Sequence, residues 1–480
     1  MTKEVDMIIR NRSELLSHGN VRGRRIALDI LEDTLGNIDA CRLVKDLVLR
    51  HGNRLEVGSL SFDLSSVRDV YVLGGGKAVL QMAEALDDIL GDRIHIGIVV
   101  EKKLNGMAKG LERISRIKRI EILQAGHPIP DMAAVAAAKK ILKVAQSASH
   151  GDLVFFCVQG GCTCLTTLPA KGLTLKNIQE TTDLLLNSGL DIRVVNTMRT
   201  AMTRLSQGRL ANYIHPAQLV NLVINDYVWG YPEGWGEAGY ALGWGPSVPV
   251  PQVRRSSFEA DILTIQKHPI WRKIPQKVKE HLKHMTKDQF PQTIKDFEKC
   301  GINFNTFVLA SPEDATNAAE KAASRLTIPS MVLSSVIEGE AREVGIVLSG
   351  IAKEVVRIRR PLKPPCAIIV GGEKTVTMTG EHGRGGRNQE AVLSAASKID
   401  GAHEIVILSV GTDGTDGPTD VAGGIVDGYT LQRARQKGII VSDCLKKHDS
   451  TPALKKLEDA IFFNQPGNNL CDLSLIVVTN

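Results

Sequence analysis

A short apolar run that ends in a glycine-rich turn recurs four times along this 480-residue chain. Val70-Tyr71-Val72-Leu73 leads into Gly74-Gly75-Gly76-Lys77, and residues 153–158 lead into Gln159-Gly160-Gly161-Cys162-Thr163. Residues 367–370 lead into Gly371-Gly372-Glu373, and residues 405–410 into Gly411-Thr412-Asp413-Gly414. Apolar runs this short, usually followed by a helix-like stretch such as residues 78–90, fit strands buried on both faces of mainly parallel sheets. The expected class is α/β, Rossmann-like, with mainly parallel sheets flanked by helices. In open parallel sheets the ligand crevice lies beyond the carboxyl ends of the strands, where turn N–H groups and helix N-termini face outward. Four such turns, carrying Lys77, Glu373 and Asp413, predict a shared cleft. None has the Walker spacing, and Gly74-Gly75-Gly76 is not a dinucleotide fingerprint.

The length exceeds what one core supports. Apolar positions at helical spacing, as in Ile26-Ala27-Leu28-Asp29-Ile30-Leu31-Glu32, mark a helical lead-in. Trp229, Trp235 and Trp244 lie among Gly and Pro, a charged helical stretch follows over 273–299, and a new strand starts near Asn305. Two domains are expected, 1–300 with the lead-in and 301–480.

A net charge of +6 from 59 basic and 53 acidic residues, with 4% aromatics, is no nucleic-acid footprint. The basic stretches at 22–25 and 357–360 read as solvated faces. The first six residues carry acidic groups before any apolar stretch, and no membrane-length apolar run occurs. Eight scattered cysteines form no C-x-x-C pair, so a reduced, cytoplasmic protein with neither membrane nor nucleic acid as partner is expected.

Within Glu381-His382-Gly383-Arg384-Gly385-Gly386-Arg387-Asn388-Gln389-Glu390, two guanidinium forks precede a helix, which suits carboxylate or phosphate. Three carboxylates in the turn from Gly411 to Asp420 can hold Mg²⁺, orient water or accept a hydroxyl proton. Lys77 is a cation at the head of a helix. In Gly126-His127-Pro128-Ile129-Pro130-Asp131, Asp131 reads as an N-cap and His127 as structural.

These segments, with Asn196-Thr197-Met198-Arg199, Gly208-Arg209-Leu210-Ala211 and Glu338-Gly339-Glu340-Ala341-Arg342-Glu343, resemble the glycerate 2-kinase family in the same order, including its C-terminal MOFRL domain. The resemblance implies ATP-dependent phosphorylation of D-glycerate at the 2-hydroxyl, with ATP and Mg²⁺ as cofactors and the active site in the interdomain cleft. It sets the family's cleft lysine on Lys77 and its cleft arginine on Arg387. Asp413 completes the expected catalytic set, and Asp226 and Asp416 are the expected metal ligands. Gly75, Gly76, Gly160, Gly161, Arg199, Gly372, Glu373, Arg384 and Asn388 are expected to bind substrate or nucleotide. The partners are then a small hydroxy acid and a nucleotide, with a homo-oligomer left open. The chain departs from the family pattern over 159–167, 200–207 and 227–247, where the tryptophans could form an apolar lid. Two alternatives follow: a divergent member that binds a small acid or phosphorylated ligand without transfer, and a hydroxypyruvate reductase.

Overall fold

The structure, a computed structural model, describes residues 8–103, 117–228, 245–378, 380–464 and 468–480. An antiparallel meander of β1 (Val48–His51), β2 (Arg54–Val57) and β3 (Leu60–Asp63) precedes the first large sheet. That sheet holds β4 (Val70–Gly75), β5 (Ile94–Lys102), β6 (Ile120–Ala125), β7 (Leu153–Val158), β8 (Gln218–Ile224) and β9 (Phe304–Ala310). Its order is β6-β5-β4-β7-β8-β9, with all pairs parallel. Central β4 and β7 are buried at every position, as their unbroken apolar runs require when helices cover both faces. The chain winds outward from β4 through β5 to β6, then returns to the other side of β4 at β7. The order therefore reverses between β4 and β7, which places a topological switch point there.

The second sheet is mixed. It holds β10 (Ser330–Glu340), β11 (Cys366–Thr375), β12 (Ile405–Gly411), β13 (Gly423–Asp427), β14 (Ala460–Ile461) and β15 (Asp472–Val478), ordered β10-β11-β15-β12-β13-β14. The β10–β11 pair, joined by the helix Ala341–Ile358, is parallel and the others are antiparallel. The turn after β12 thus leads to an antiparallel neighbour and not to a helix.

The division expected at residue 300 falls one strand early by sheet membership, because β9 completes the first sheet. The lead-in helix Val21–Asn37 turns its buried face, including Leu28 and Leu31, toward β12, β15 and the helix Pro312–Arg325. The 22–25 stretch is not wholly a solvated face. Arg24 is fully buried and pairs with Asp427 at 2.5 Å and Asp459 at 2.8 Å. One continuous apolar core contains Val70 and Val72 of the first sheet and Leu408 and Leu475 of the second. Among the described residues no helix is long and apolar enough to cross a membrane.

Candidate active site

At the switch point the turns after β4 and β7 are tied to each other. The backbone N–H of Gln159 donates to Gly75 O at 3.2 Å, and that of Lys77 to Gly160 O at 3.1 Å. The N–H of Gly76 donates to Val100 O at 3.1 Å. Gln159 Oε1 accepts from the N–H of Ala78, just before the helix Val79–Leu90, so the turn fixes the direction of Lys77. Two glycines are sterically required here. A Cβ on Gly160 would lie 1.7 Å from Asp226 Oδ2, and Gly161 has a φ of +87° with His127 Nε2 3.1 Å from its notional Cβ.

Beside these turns lies a cavity of about 370 Å³. Gly160, Gly161 and Cys162 form one wall, Asp226 at the end of β8 another, and Glu338 and Glu373 of the second sheet face them. Asn196, Arg199 and Thr200 of the helix Ile192–Ala201 extend it away from the sheet. The two sheets approach one another here: Lys77 Nζ is 3.6 Å from Asp413 Oδ2, and Gln159 Nε2 donates to Asn468 Oδ1 at 3.1 Å. Asn469 Nδ2 donates to Asp226 Oδ2 at 2.5 Å.

Charge is segregated. Burial alone would lower the Lys77 pKa, but Asp413, Asp226 and Glu373 outweigh it and hold it above the ordinary lysine value. Burial lowers the pKa of Lys102 at the end of β5, with neighbouring Lys77 adding to the shift. The Arg199 guanidinium donates to Pro128 O at 2.5 Å and Asn196 Oδ1 at 3.3 Å, and burial lowers its pKa. His127 lies among these cations, and burial with Lys77, Lys102 and Arg199 pushes its pKa down from 6.5 to about 3. On the acidic side, burial raises Asp226, with Lys77 opposing and Asp413 adding. Burial raises Glu373 too, with Arg387 opposing and Asp226 and Asp472 adding. Arg387 donates through Nη1 to Glu373 at 2.9 Å and through Nε to Asp472 at 2.9 Å.

A neutral His127 has a consequence for stability. Its folded pKa lies below its unfolded one, so between about pH 3 and 6.5 the unfolded chain binds the extra proton and stability falls as pH falls. His127→Gln should therefore lose about 1–2 kcal/mol less than wild type between pH 7 and 5. Chemical denaturation at the two pH values reads the difference; equal losses would refute the neutral state.

Residues 26–283 match the family described as Domain of unknown function (DUF4147), and residues 366–472 match the MOFRL family. A glycerate 2-kinase from Pyrococcus horikoshii is 35% identical, with 95% of this chain and 98% of that protein aligned. The chain belongs to the glycerate 2-kinase family. A D-glycerate 2-kinase from Thermotoga maritima is 32% identical over 94% of this chain and 97% of that protein. The solved structure of a glycerate kinase from Thermotoga maritima superposes with a TM-score of 0.73 at 30% identity, covering 95% of this chain and 99% of that one. The resemblance read from the motifs holds across nearly the whole chain.

Within this glycerate 2-kinase fold, Gly75, Gly76, Gly160, Gly161, Lys77, Arg199, Asp226, Glu373, Arg387 and Asp413 gather at or beside the cavity. Other expected site residues serve elsewhere. Asp416 is buried, and its carboxylate accepts from the N–H groups of Asn388 and Gln389 and from both their side chains. It thereby anchors the N-terminus of the helix Arg387–Ala396 and is not placed as a metal ligand. Asn388 is buried between Asp416, Asp472 and Ser409. Gly372 lies inside β11 where a Cβ would meet Ile337 O at 2.0 Å, so it serves strand packing. Arg384 is exposed, outside the cavity lining, and its N–H donates to Asp449. Lys102 and Asp472 were not among the expected site residues. Lys102 ends the strand beside Lys77's own, a strand without a glycine-rich turn, and Asp472 gains its partners only when β15 inserts between β11 and β12. The tryptophan lid at 229–244 lies outside the described residues.

Proposed function

We propose that this protein transfers the γ-phosphoryl group of ATP to the 2-hydroxyl of D-glycerate, giving 2-phosphoglycerate and ADP. One observation carries the reading: at the switch point, cations Lys77, Lys102 and Arg199 stand against carboxylates Asp226, Glu373 and Asp413. The kinase names of the relatives support it. Phosphoryl transfer asks mainly for positioning and charge neutralisation, which this arrangement supplies.

Arg199 is the anchor for the acid's carboxylate, suited by its guanidinium fork. Lys77 and Arg387 neutralise the phosphoryl oxygens. The acceptor oxygen bonds to the γ-phosphorus, the bond from that phosphorus to the bridging oxygen breaks, and ADP departs with that electron pair. The hydroxyl proton passes to Asp413 Oδ2, the oxygen facing Lys77.

Among the described residues no group of three or more His, Cys, Asp or Glu side chains forms a metal cage. Mg²⁺ in such enzymes needs only one or two carboxylates plus substrate phosphates. Asp226 and Glu373 fit that need: both line the cavity, and their mutual repulsion is part of what raises the Glu373 pKa. Mg²⁺ bound there supplies charge neutralisation on the phosphates. ADP release should depend on added D-glycerate and stop with EDTA; release indifferent to the acid would refute the reading.

A further inference from the structure

The cavity of about 370 Å³ lies in the lower part of the ~300–1,000 Å³ range of pockets that enclose drug-sized ligands. Its outer wing, beyond Arg199, is built almost wholly of uncharged polar side chains: Thr182, Asn196, Thr200, Thr203 and Gln207. Two of these carry a buried polar atom with no partner among the described residues. Among the described residues Gln207, 7% exposed, has an Oε1 that accepts no hydrogen bond, and Thr182 Oγ1, on the helix Leu175–Leu186, has no partner either. Buried polar atoms are normally satisfied, and leaving one unpaired costs about 1–3 kcal/mol.

Nor is this a loose loop. Gln207 holds a φ of +52°, a left-handed conformation unusual for a side-chain-bearing residue. Buried Arg209 fastens the segment by donating to Ser206 O at 2.8 Å, Thr200 O at 2.7 Å and Gln289 O at 2.6 Å. The Gln207 side chain is thus held against the cavity at a conformational cost, with its Oε1 unpaired among the described residues.

We propose that this wing receives the hydroxylated chain of an acceptor longer than glycerate, an aldonic acid whose carboxylate meets Arg199 and whose distal hydroxyls pair with Gln207 and Thr182. The inference rests on the kinase reading for the reacting end alone. A purine base is the poorer fit, because among the described residues Ile178 is the one large apolar side chain that lines the cavity from the helices carrying these polar groups, and they form no flat apolar slot.

The test is steady-state kinetics at saturating ATP and Mg²⁺ with D-glycerate, D-erythronate and D-gluconate, for wild type, Gln207→Leu and the isosteric Thr182→Val. A longer acid should be phosphorylated, and each variant should lower the ratio of kcat/KM for that acid to kcat/KM for glycerate by about tenfold. A ratio unmoved in folded variants overturns the proposal, as does turnover of glycerate alone. A raised KM for ATP with an unmoved ratio assigns the wing to the nucleotide and also overturns it. If no acid is phosphorylated, the kinase reading fails separately, and calorimetric titration with D-gluconate decides the wing. Binding weakened about tenfold in both variants sustains it; no binding to the wild type overturns it.

Discussion

Lys77→Met should lower kcat for phosphoryl transfer by about 10³-fold while the protein stays folded. The expectation follows from what the side chain does and does not hold together. The turn is fixed by backbone contacts, Lys77 N–H to Gly160 O and Gln159 N–H to Gly75 O, which a methionine retains. Methionine also replaces the aliphatic stem without leaving a large void. What disappears is the ammonium 3.6 Å from Asp413. Asp413, Asp226 and Glu373 then face the incoming phosphates without the cation that offsets them, so charge developing in the transition state meets repulsion instead of a fixed positive group. A coupled assay of ADP release, with thermal melting as the control for folding, reads the effect. A kcat within tenfold of wild type would remove Lys77 from the chemistry.

Arg24→Met should destabilise the protein by about 3–5 kcal/mol, the usual cost of removing one member of a buried ion pair. Arg24 is wholly buried between Asp427 and Asp459, which are themselves wholly buried. His18 and Arg433 still reach Asp459, at 3.0 and 2.7 Å, but Asp427 loses its ion-pair partner. The Asp459 pKa is lowered: burial would raise it, and Arg24, His18 and Arg433 together outweigh burial. A carboxyl with a lowered folded pKa adds stability above its unfolded pKa and loses it as pH falls through the folded value. The gap between wild type and variant should therefore be widest near neutral pH and narrow once pH drops below the ordinary carboxylate range. Urea midpoints across that range test both magnitude and sign. The double substitution Arg24→Met with Asp427→Asn should recover part of the loss, since it removes the stranded charge.

The features legible in the sequence were the locally encoded ones. A run such as Val70-Tyr71-Val72-Leu73 before three glycines and a lysine specifies a buried strand, its turn and a cation at the strand's end within eight residues. Arg387, two residues past Gly385, is legible for the same reason. What failed depended on partners distant in the chain. Arg24 sits in Arg22-Gly23-Arg24-Arg25, which reads as solvated, and its burial is decided by carboxylates more than 400 positions away. Lys102 joins the cation cluster, and neutral His127 comes to lie beside it, only because β5 pairs with β4 and the turn at 126–131 folds against Gly161. Asp416 looked free to hold a metal because a turn rich in carboxylates does not reveal that a helix N-terminus will occupy one of them. The second sheet reads as parallel from its apolar runs, yet β15, the last strand in the chain, inserts antiparallel between β11 and β12. Inward-facing apolar residues satisfy either direction, so periodicity alone could not choose.

The central claim is that the switch-point cleft phosphorylates the 2-hydroxyl of D-glycerate. The most direct measurement is phosphorus and carbon NMR of a reaction containing the protein, ATP, Mg²⁺ and D-glycerate. The account predicts ADP and 2-phosphoglycerate in equal amounts, with the phosphorus coupled to the carbon next to the carboxylate. Phosphate on the terminal hydroxyl, or ATP left unchanged by a folded protein, would contradict it.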